Sequence, residues 1–225
     1  MGECPDNMER IKVIQLMEEQ GLVPLFYNKD LELCKKVIKA CYDGGARLLE
    51  FTNRGVFAHE VFTELSKYVK SELPKMALGV GSVPDAATAA LFIQCGADFV
   101  VTPSLREDVA VVCNRRKVLW APGCASLTEI GKAEELGCEI VKLFPGSVYG
   151  PKFIQSVMAP QPWTKIMPTG GVSPTEENLK GWFGAGAVCV GMGSKLISKE
   201  LIANKSFDQI SKNCKESLTL IQSIR

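Results

Sequence analysis

The stretch EIVKLFPG (residues 139–146) sets a strongly hydrated cation, Lys142, inside an apolar run. Isoleucine, valine, leucine and phenylalanine so close together read as a strand buried on both faces, as in a parallel sheet covered by helices. Side chains alternate along a strand, so Ile140, Lys142 and Phe144 share one face. In a closed barrel that face lines the interior; otherwise it meets the helices. Desolvating a charged lysine is costly in either place. Two readings follow. Lys142 is paired with a carboxylate or snorkels its amine to water, or burial favours the neutral amine and makes it a nucleophile toward carbonyl carbon.

Short apolar runs recur on both sides of this one: LVPLFY (22–27), ARLLEFT (46–52), KMALGVG (75–81), DFVVTP (98–103), KVLWAPG (117–123), KIMPTGG (165–171) and AVCVGMG (187–193). Amphipathic stretches separate them, among them residues 31–42, 58–70, 84–95, 127–136 and 175–183. Glycine follows several of these stretches, at GGA (44–46), GA (96–97), GC (137–138) and GA (186–187), where it supplies a left-handed helix cap. Eight alternations in 225 residues predict an α/β protein, a (β/α)8 TIM barrel occupying residues 1–225 as one domain. An extra N-terminal helix is expected over NMERIKVIQLMEEQG (7–21) and a C-terminal helix over 207–224. The competing architecture is an open doubly wound sheet, but no G-x-G-x-x-G follows the first run.

Composition excludes several classes of function. With 26 basic and 25 acidic residues the formal net charge is +1, which provides no field for gathering nucleic acid or anionic membrane. Arg115-Arg116-Lys117 reads as a solvated helix end. Nine scattered cysteines contain no C-x-x-C pair and suit free thiols in a reducing cytosol. The opening MGECPDNMER has no apolar signal-peptide core, and Asp6 stands where a myristoylation signal needs Ser or Thr. No apolar run approaches the roughly 20 residues of a membrane span. A cytoplasmic protein is expected. The one histidine, His59, lies in the helical FAHEVF and reads as a packed or surface residue. Without a histidine cluster or paired cysteines a zinc-dependent carbon–carbon lyase has little to build on. Carbonyl chemistry here needs an amine instead, and no cofactor or metal is expected.

In a barrel the active site lies at the C-terminal ends of the strands. Polar and glycine residues collect at those ends: Glu50, Thr52 and Arg54; Gly81-Ser82; Thr102-Pro103; Pro122-Gly123; Lys142 and Phe144; Thr169-Gly170-Gly171; and Gly191, Gly193 and Ser194. Glu50 interrupts RLLEFT as Lys142 interrupts EIVKLF, so it is either half of a buried salt bridge or a proton shuttle for imine chemistry. Arg54 is either a surface charge or a fork for a carboxylate. PTGGVSP and GMGSK coincide with the usual barrel phosphate site, where Ser194 can start a short helix that favours anions; tight turns are the alternative use of these glycines.

In order and spacing, GGARLLEFTNRG, GVGSV, TPSL, APG, VKLFPG, MPTGGV and GMGSKL resemble the 2-keto-3-deoxy-6-phosphogluconate (KDPG) and 4-hydroxy-2-oxoglutarate (KHG) aldolases over nearly the whole chain. The resemblance implies a class I aldolase on a barrel, usually trimeric, that releases pyruvate and an aldehyde. It implies Lys142 as the Schiff-base lysine and Glu50 as the general acid/base. It further implies Arg54 and Ser82 at the pyruvate carboxylate, Pro103 and Phe144 as pocket walls and Thr169 at the substrate. The phosphate contacts it implies are Gly170, Gly171, Gly193 and Ser194. The chain departs from the family pattern at Ser82, where threonine is common, at Phe26-Tyr27, at Ser104, and at Met192 and Lys195. The last three departures are expected to bear on the distal half of the substrate. The rival readings are a phosphosugar isomerase or synthase, which leaves Lys142 without a role, and a non-catalytic sugar-phosphate sensor.

Overall fold

The computed structural model describes residues 7–225; Cys4 and Asp6 lie outside the described residues. Among the described residues nine parallel strands run β1 (Leu22–Phe26), β2 (Leu48–Thr52), β3 (Ala77–Gly81), β4 (Phe99–Val101), β5 (Leu119–Ala121), β6 (Gly123–Cys124), β7 (Val141–Leu143), β8 (Ile166–Pro168) and β9 (Val190–Met192). The order β5-β4-β3-β2-β1-β9 forms one part of the wall and β6-β7-β8 the other. A bridge between Thr169 and Gly191 and a bond from Val188 N to Ile166 O at 3.0 Å join β8 to β9. The sheet therefore curls into the expected TIM-type barrel.

Nine strands arise from eight apolar runs because Pro122 divides the fifth. Proline has no N–H to give the ladder, yet its carbonyl accepts from Lys142 N at 2.8 Å, so β6 still pairs with β7. The helices between strands begin where a side chain caps them. Asp30 accepts from Leu33 N to start α2 (Leu31–Asp43), and Asp85 accepts from Thr88 N to start α4 (Ala86–Gln94). That cap is why the fourth helix starts after Pro84 and not at it. Gly45, Gly96, Gly137 and Gly186 all take positive φ, between 78° and 106°, at the helix-to-strand corners that the Gly-Ala spacing predicts.

Two apolar layers follow from the strand period. Val23, Leu48, Ala77, Phe99, Leu119, Ile140, Met167 and Cys189 form an inner cluster with Val13 and Met17 of α1 (Arg10–Gln20). Leu49, Phe51, Leu78, Val100, Trp120, Val141, Leu143 and Val190 belong to the outer layer beneath the helices. Helix α1 is pinned across the N-terminal ends of the strands. Arg10 donates to Asn114, to Gly137 O and to Glu139, and Asp98 accepts from Met8 N at 2.7 Å and Leu78 N at 2.8 Å. One end of the barrel is thus plugged, and the other is left for the site. The terminal helix α10 (Phe207–Ile224) has the bounds the sequence predicts and packs on α2.

Candidate active site

Lys142 occupies the middle of β7, and Val141 and Leu143 on either side of it join the outer layer while Ile140 joins the inner one. Its parity therefore turns it into the barrel, where it is only 5% exposed. Its ammonium lies 4.8 Å from the centroid of the Phe144 ring. On β2, Leu48 faces inward and Leu49 and Phe51 face outward, so Glu50 points to the same interior; it is 2% exposed. Burial pushes the Glu50 carboxyl above its ordinary pKa, and the positive charges of Lys142 and Arg54 oppose that rise. Both cations therefore act on this carboxylate. Among the described residues Glu50 Oε2 has no hydrogen-bond partner, which leaves a buried acceptor free inside the barrel.

Glycines shape the space around these groups. A Cβ on Gly81 would overlap the Glu50 carboxylate, and one on Gly191 would overlap Thr169 Oγ1. A Cβ on Gly123 would overlap the Pro103 carbonyl, so the APG turn lets the loop after β4 close against the strand that pairs with Lys142. Thr169 is held by bonds from its N to Leu143 O at 3.0 Å and from Gly146 N to its O at 2.8 Å. Its buried hydroxyl, like Glu50 Oε2, has no partner among the described residues.

The remaining predicted residues ring the same mouth at different depths. Arg54 is exposed in the loop after β2, and half-buried Ser82 follows β3 in a left-handed conformation at φ 60°. Pro103 is exposed after β4 and Phe144 half-buried after β7. Gly170 and Gly171 turn the chain with φ of 90° and 73°. Gly193 O accepts from Leu196 N and Ile197 N, both at 2.9 Å, so Ser194 lies in a hydrogen-bonded turn. The short helix expected from Ser194 starts later: α9 (Lys199–Ala203) is capped by Ser198, whose side chain accepts from Leu201 N.

In two of the departures one residue of the pair turns away from the mouth. Phe26 and Met192 both belong to the outer layer, since the inward positions are Leu25 on β1 and Gly191 and Gly193 on β9. Ser147 was not singled out in the sequence. A Cβ on Gly171 would lie 2.8 Å from Ser147 Cα, so the exposed Ser147 packs directly against the glycine pair. Its only sequence signal is its place five residues beyond Lys142, at the start of α7 (Gly146–Met158). His59 is half-buried on α3 (Ala58–Glu72), and no cluster of three His, Cys, Asp or Glu side chains suited to a metal occurs among the described residues.

The family described as KDPG and KHG aldolase matches residues 13–213. The chain belongs to this family of aldolases. It is 29% identical over 213 residues to the 2-dehydro-3-deoxy-phosphogluconate aldolase of Treponema pallidum, covering 94% of this chain and 98% of that one. It is 28% identical over 199 residues to the KHG/KDPG aldolase of Escherichia coli K12, covering 88% and 90%. The fold is also that of the Legionella pneumophila KDPG aldolase solved with pyruvate captured as a covalent carbinolamine, at a TM-score of 0.81 and 23% identity over 89% of this chain and 95% of that one. Among the described residues no helix is long and apolar enough to cross a membrane.

Proposed function

We propose that this aldolase is a class I lyase that cleaves 2-keto-3-deoxy-6-phosphogluconate, 4-hydroxy-2-oxoglutarate or both, giving pyruvate plus glyceraldehyde 3-phosphate or glyoxylate. The observation that carries the reading is the inward placement of Lys142 and Glu50 on strands at opposite sides of the barrel, with the carboxyl pKa raised by burial and opposed by the lysine charge. The names of the relatives from Treponema pallidum and Escherichia coli support the choice of substrates.

In this reading Lys142 Nζ attacks the C2 carbonyl, and Glu50 delivers the proton that lets the carbinolamine lose water. The iminium accepts the electron pair of the C3–C4 bond as that bond breaks. Glu50, through a water, takes the proton of the C4 hydroxyl, and the aldehyde leaves. Protonation of the enamine at C3 and hydrolysis of the imine then release pyruvate and restore the amine. Arg54 and Ser82 hold the pyruvate carboxylate, Thr169 donates to the substrate, and Pro103 and Phe144 wall the pocket. Gly170, Gly171, Gly193 and Ser194 take the phosphate, because glycine backbone lets N–H groups approach anionic oxygens closely. The reaction needs no metal or organic cofactor. Residues 1–225 act as one barrel domain, in the cytoplasm and as a homotrimer.

Borohydride added in the presence of pyruvate should leave a stable adduct on the peptide carrying Lys142. Pyruvate release coupled to lactate dehydrogenase, from phosphorylated and unphosphorylated keto acids, ranks the substrates. A chain that binds these acids but yields neither adduct nor pyruvate is a sensor and not an aldolase.

A further inference from the structure

The loop that carries Arg54 is shaped by a residue on another strand. Tyr27 follows β1, and simple alternation after Val23 and Leu25 would send it into the barrel. Instead its ring packs on outward-facing Phe51, with centroids 5.6 Å apart and planes at 61°. Phe51 continues a chain of rings through Phe62 and Phe92 at 5.9 and 5.1 Å, so Tyr27 rests on rigid core. Its hydroxyl reaches the backbone of Gly55: a Cβ there would overlap the hydroxyl oxygen and lie 2.8 Å from Cζ. Gly55 does not have a positive φ. Its lack of a side chain answers the tyrosine and not a turn.

Arg54 and Gly55 are consecutive, so the contact bears on the arginine. The loop is tied at its start by Asn53 N to Gly81 O at 2.9 Å and closes on itself by Ala58 N to Gly55 O at 3.2 Å. Between these bonds Arg54, Val56 and Phe57 are exposed, and Phe57 holds a left-handed φ of 63° that bulky residues avoid. An exposed arginine has wide rotamer freedom, and its reach into the mouth depends on where its Cα is held.

We propose that Tyr27 is a positioning residue for Arg54, its ring seated on Phe51 and its hydroxyl closing on Gly55 so that the guanidinium is presented over the mouth. The proposal rests on the reading of Arg54 as the carboxylate contact. Tyr27 acts through Arg54 and not on the reacting atoms. Its effect falls on the binding of the keto-acid carboxylate and leaves the chemistry at Lys142 untouched.

The test measures the pyruvate concentration that half-saturates borohydride trapping at Lys142, together with the maximal trapped fraction. Tyr27→Ala and Gly55→Ala should each raise the half-saturating concentration on the order of tenfold, the scale of a misplaced binding group, with the maximal fraction unchanged. Tyr27→Phe keeps the ring on Phe51 but loses the hydroxyl that closes on Gly55, so its half-saturating concentration should rise by roughly threefold, less than in Tyr27→Ala, and parent-like binding in it would overturn the part given to the hydroxyl. Gly55→Ala should have no further effect in the Tyr27→Ala background, because the atoms it collides with are gone. Tyr27→Ala should have none in the Arg54→Ala background. Equal effects of Gly55→Ala with and without the tyrosine would overturn the proposal, as would parent-like binding in Gly55→Ala. The carboxylate reading itself fails, separately, if Arg54→Ala binds pyruvate like the parent.

Discussion

The Glu50 carboxylate fills the space that a side chain on Gly81 would need. β2 and β3 pair in register from Leu48–Ala77 to Thr52–Gly81, so the inward positions of the two strands compete for one volume. Glu50 extends toward the mouth across the bare backbone of Gly81. A glycine that takes no positive φ is here a vacancy shaped for a neighbour's functional group.

Gly81→Ala is therefore expected to displace the carboxylate while leaving the glutamate in the chain. Overpacking of this kind costs about 1–3 kcal/mol of stability. The loss in kcat should approach that of removing the shuttle, on the order of 10²–10⁴-fold. Denaturant midpoints and kcat, measured on Gly81→Ala beside Glu50→Gln, check both parts. Retention of parent-like kcat in Gly81→Ala would mean that the carboxyl position is not critical.

The raised pKa of Glu50 fixes the sign of its effect on stability. Below the ordinary pKa of 4.5 the group is protonated folded or unfolded, and burial carries no charge penalty. As pH rises through the higher folded value, the folded state must ionise a desolvated carboxyl that the unfolded state ionised earlier, so stability falls. Glu50→Gln should remove this component of the pH–stability curve. If Glu50 is the shuttle, the acid limb of the pH–rate profile should lie above the normal carboxylate range and disappear in the same variant. Unfolding free energies and kcat across the acid range decide it. A limb unaffected by Glu50→Gln would assign it to another group.

Much of this was legible because two charged residues broke the period of apolar strands. Counting by twos from Ile140 and Leu48 turns Lys142 and Glu50 to one face, and the eight-fold alternation closes that face into a barrel interior. The same counting sends Phe26 and Met192 outward, beneath the helices, while their partners in the two departures, Tyr27 and Lys195, lie beyond the strand ends where the count stops. Other features had no sequence signal. Ser82 adopts a left-handed φ without being glycine or asparagine. Ser147 at the start of α7 meets Gly171, and Tyr27 meets Gly55, through chain turns that strand periodicity does not encode. The delayed start of α9 depends on Ser198 capping it in place of Ser194.

Thr169 offers a test in which stability and activity part. Its hydroxyl is buried without a partner among the described residues, and such a group costs about 1–3 kcal/mol when no bond compensates. Thr169→Val keeps the branched shape above Gly191 and removes the orphan. The variant should be as stable as the parent or more so in urea unfolding. Its kcat/KM should fall by about ten- to a hundredfold if the hydroxyl bonds a charged substrate group, following from about 1.5–3 kcal/mol for such a bond. Lower stability together with unchanged kcat/KM would make the hydroxyl a packing feature.

Ser82 carries the final prediction, because its backbone and its hydroxyl can be separated. A non-glycine residue at φ 60° is disfavoured by about 1–2 kcal/mol, since Cβ crowds the following carbonyl. Ser82→Gly relieves that crowding, although glycine's greater freedom in the unfolded chain offsets part of the gain. Ser82→Ala keeps the crowding and loses only the hydroxyl. If the hydroxyl holds the pyruvate carboxylate, both variants should raise the half-saturating pyruvate concentration for trapping alike, by about tenfold. The glycine variant should be the more stable of the two by about 1 kcal/mol. Ser82→Thr restores the hydroxyl with a β-branched side chain, so its binding should match the parent while its stability falls below that of alanine. Trapping curves and urea midpoints on the three variants separate the two roles. Parent-like binding in both Ser82→Gly and Ser82→Ala would remove Ser82 from the carboxylate site.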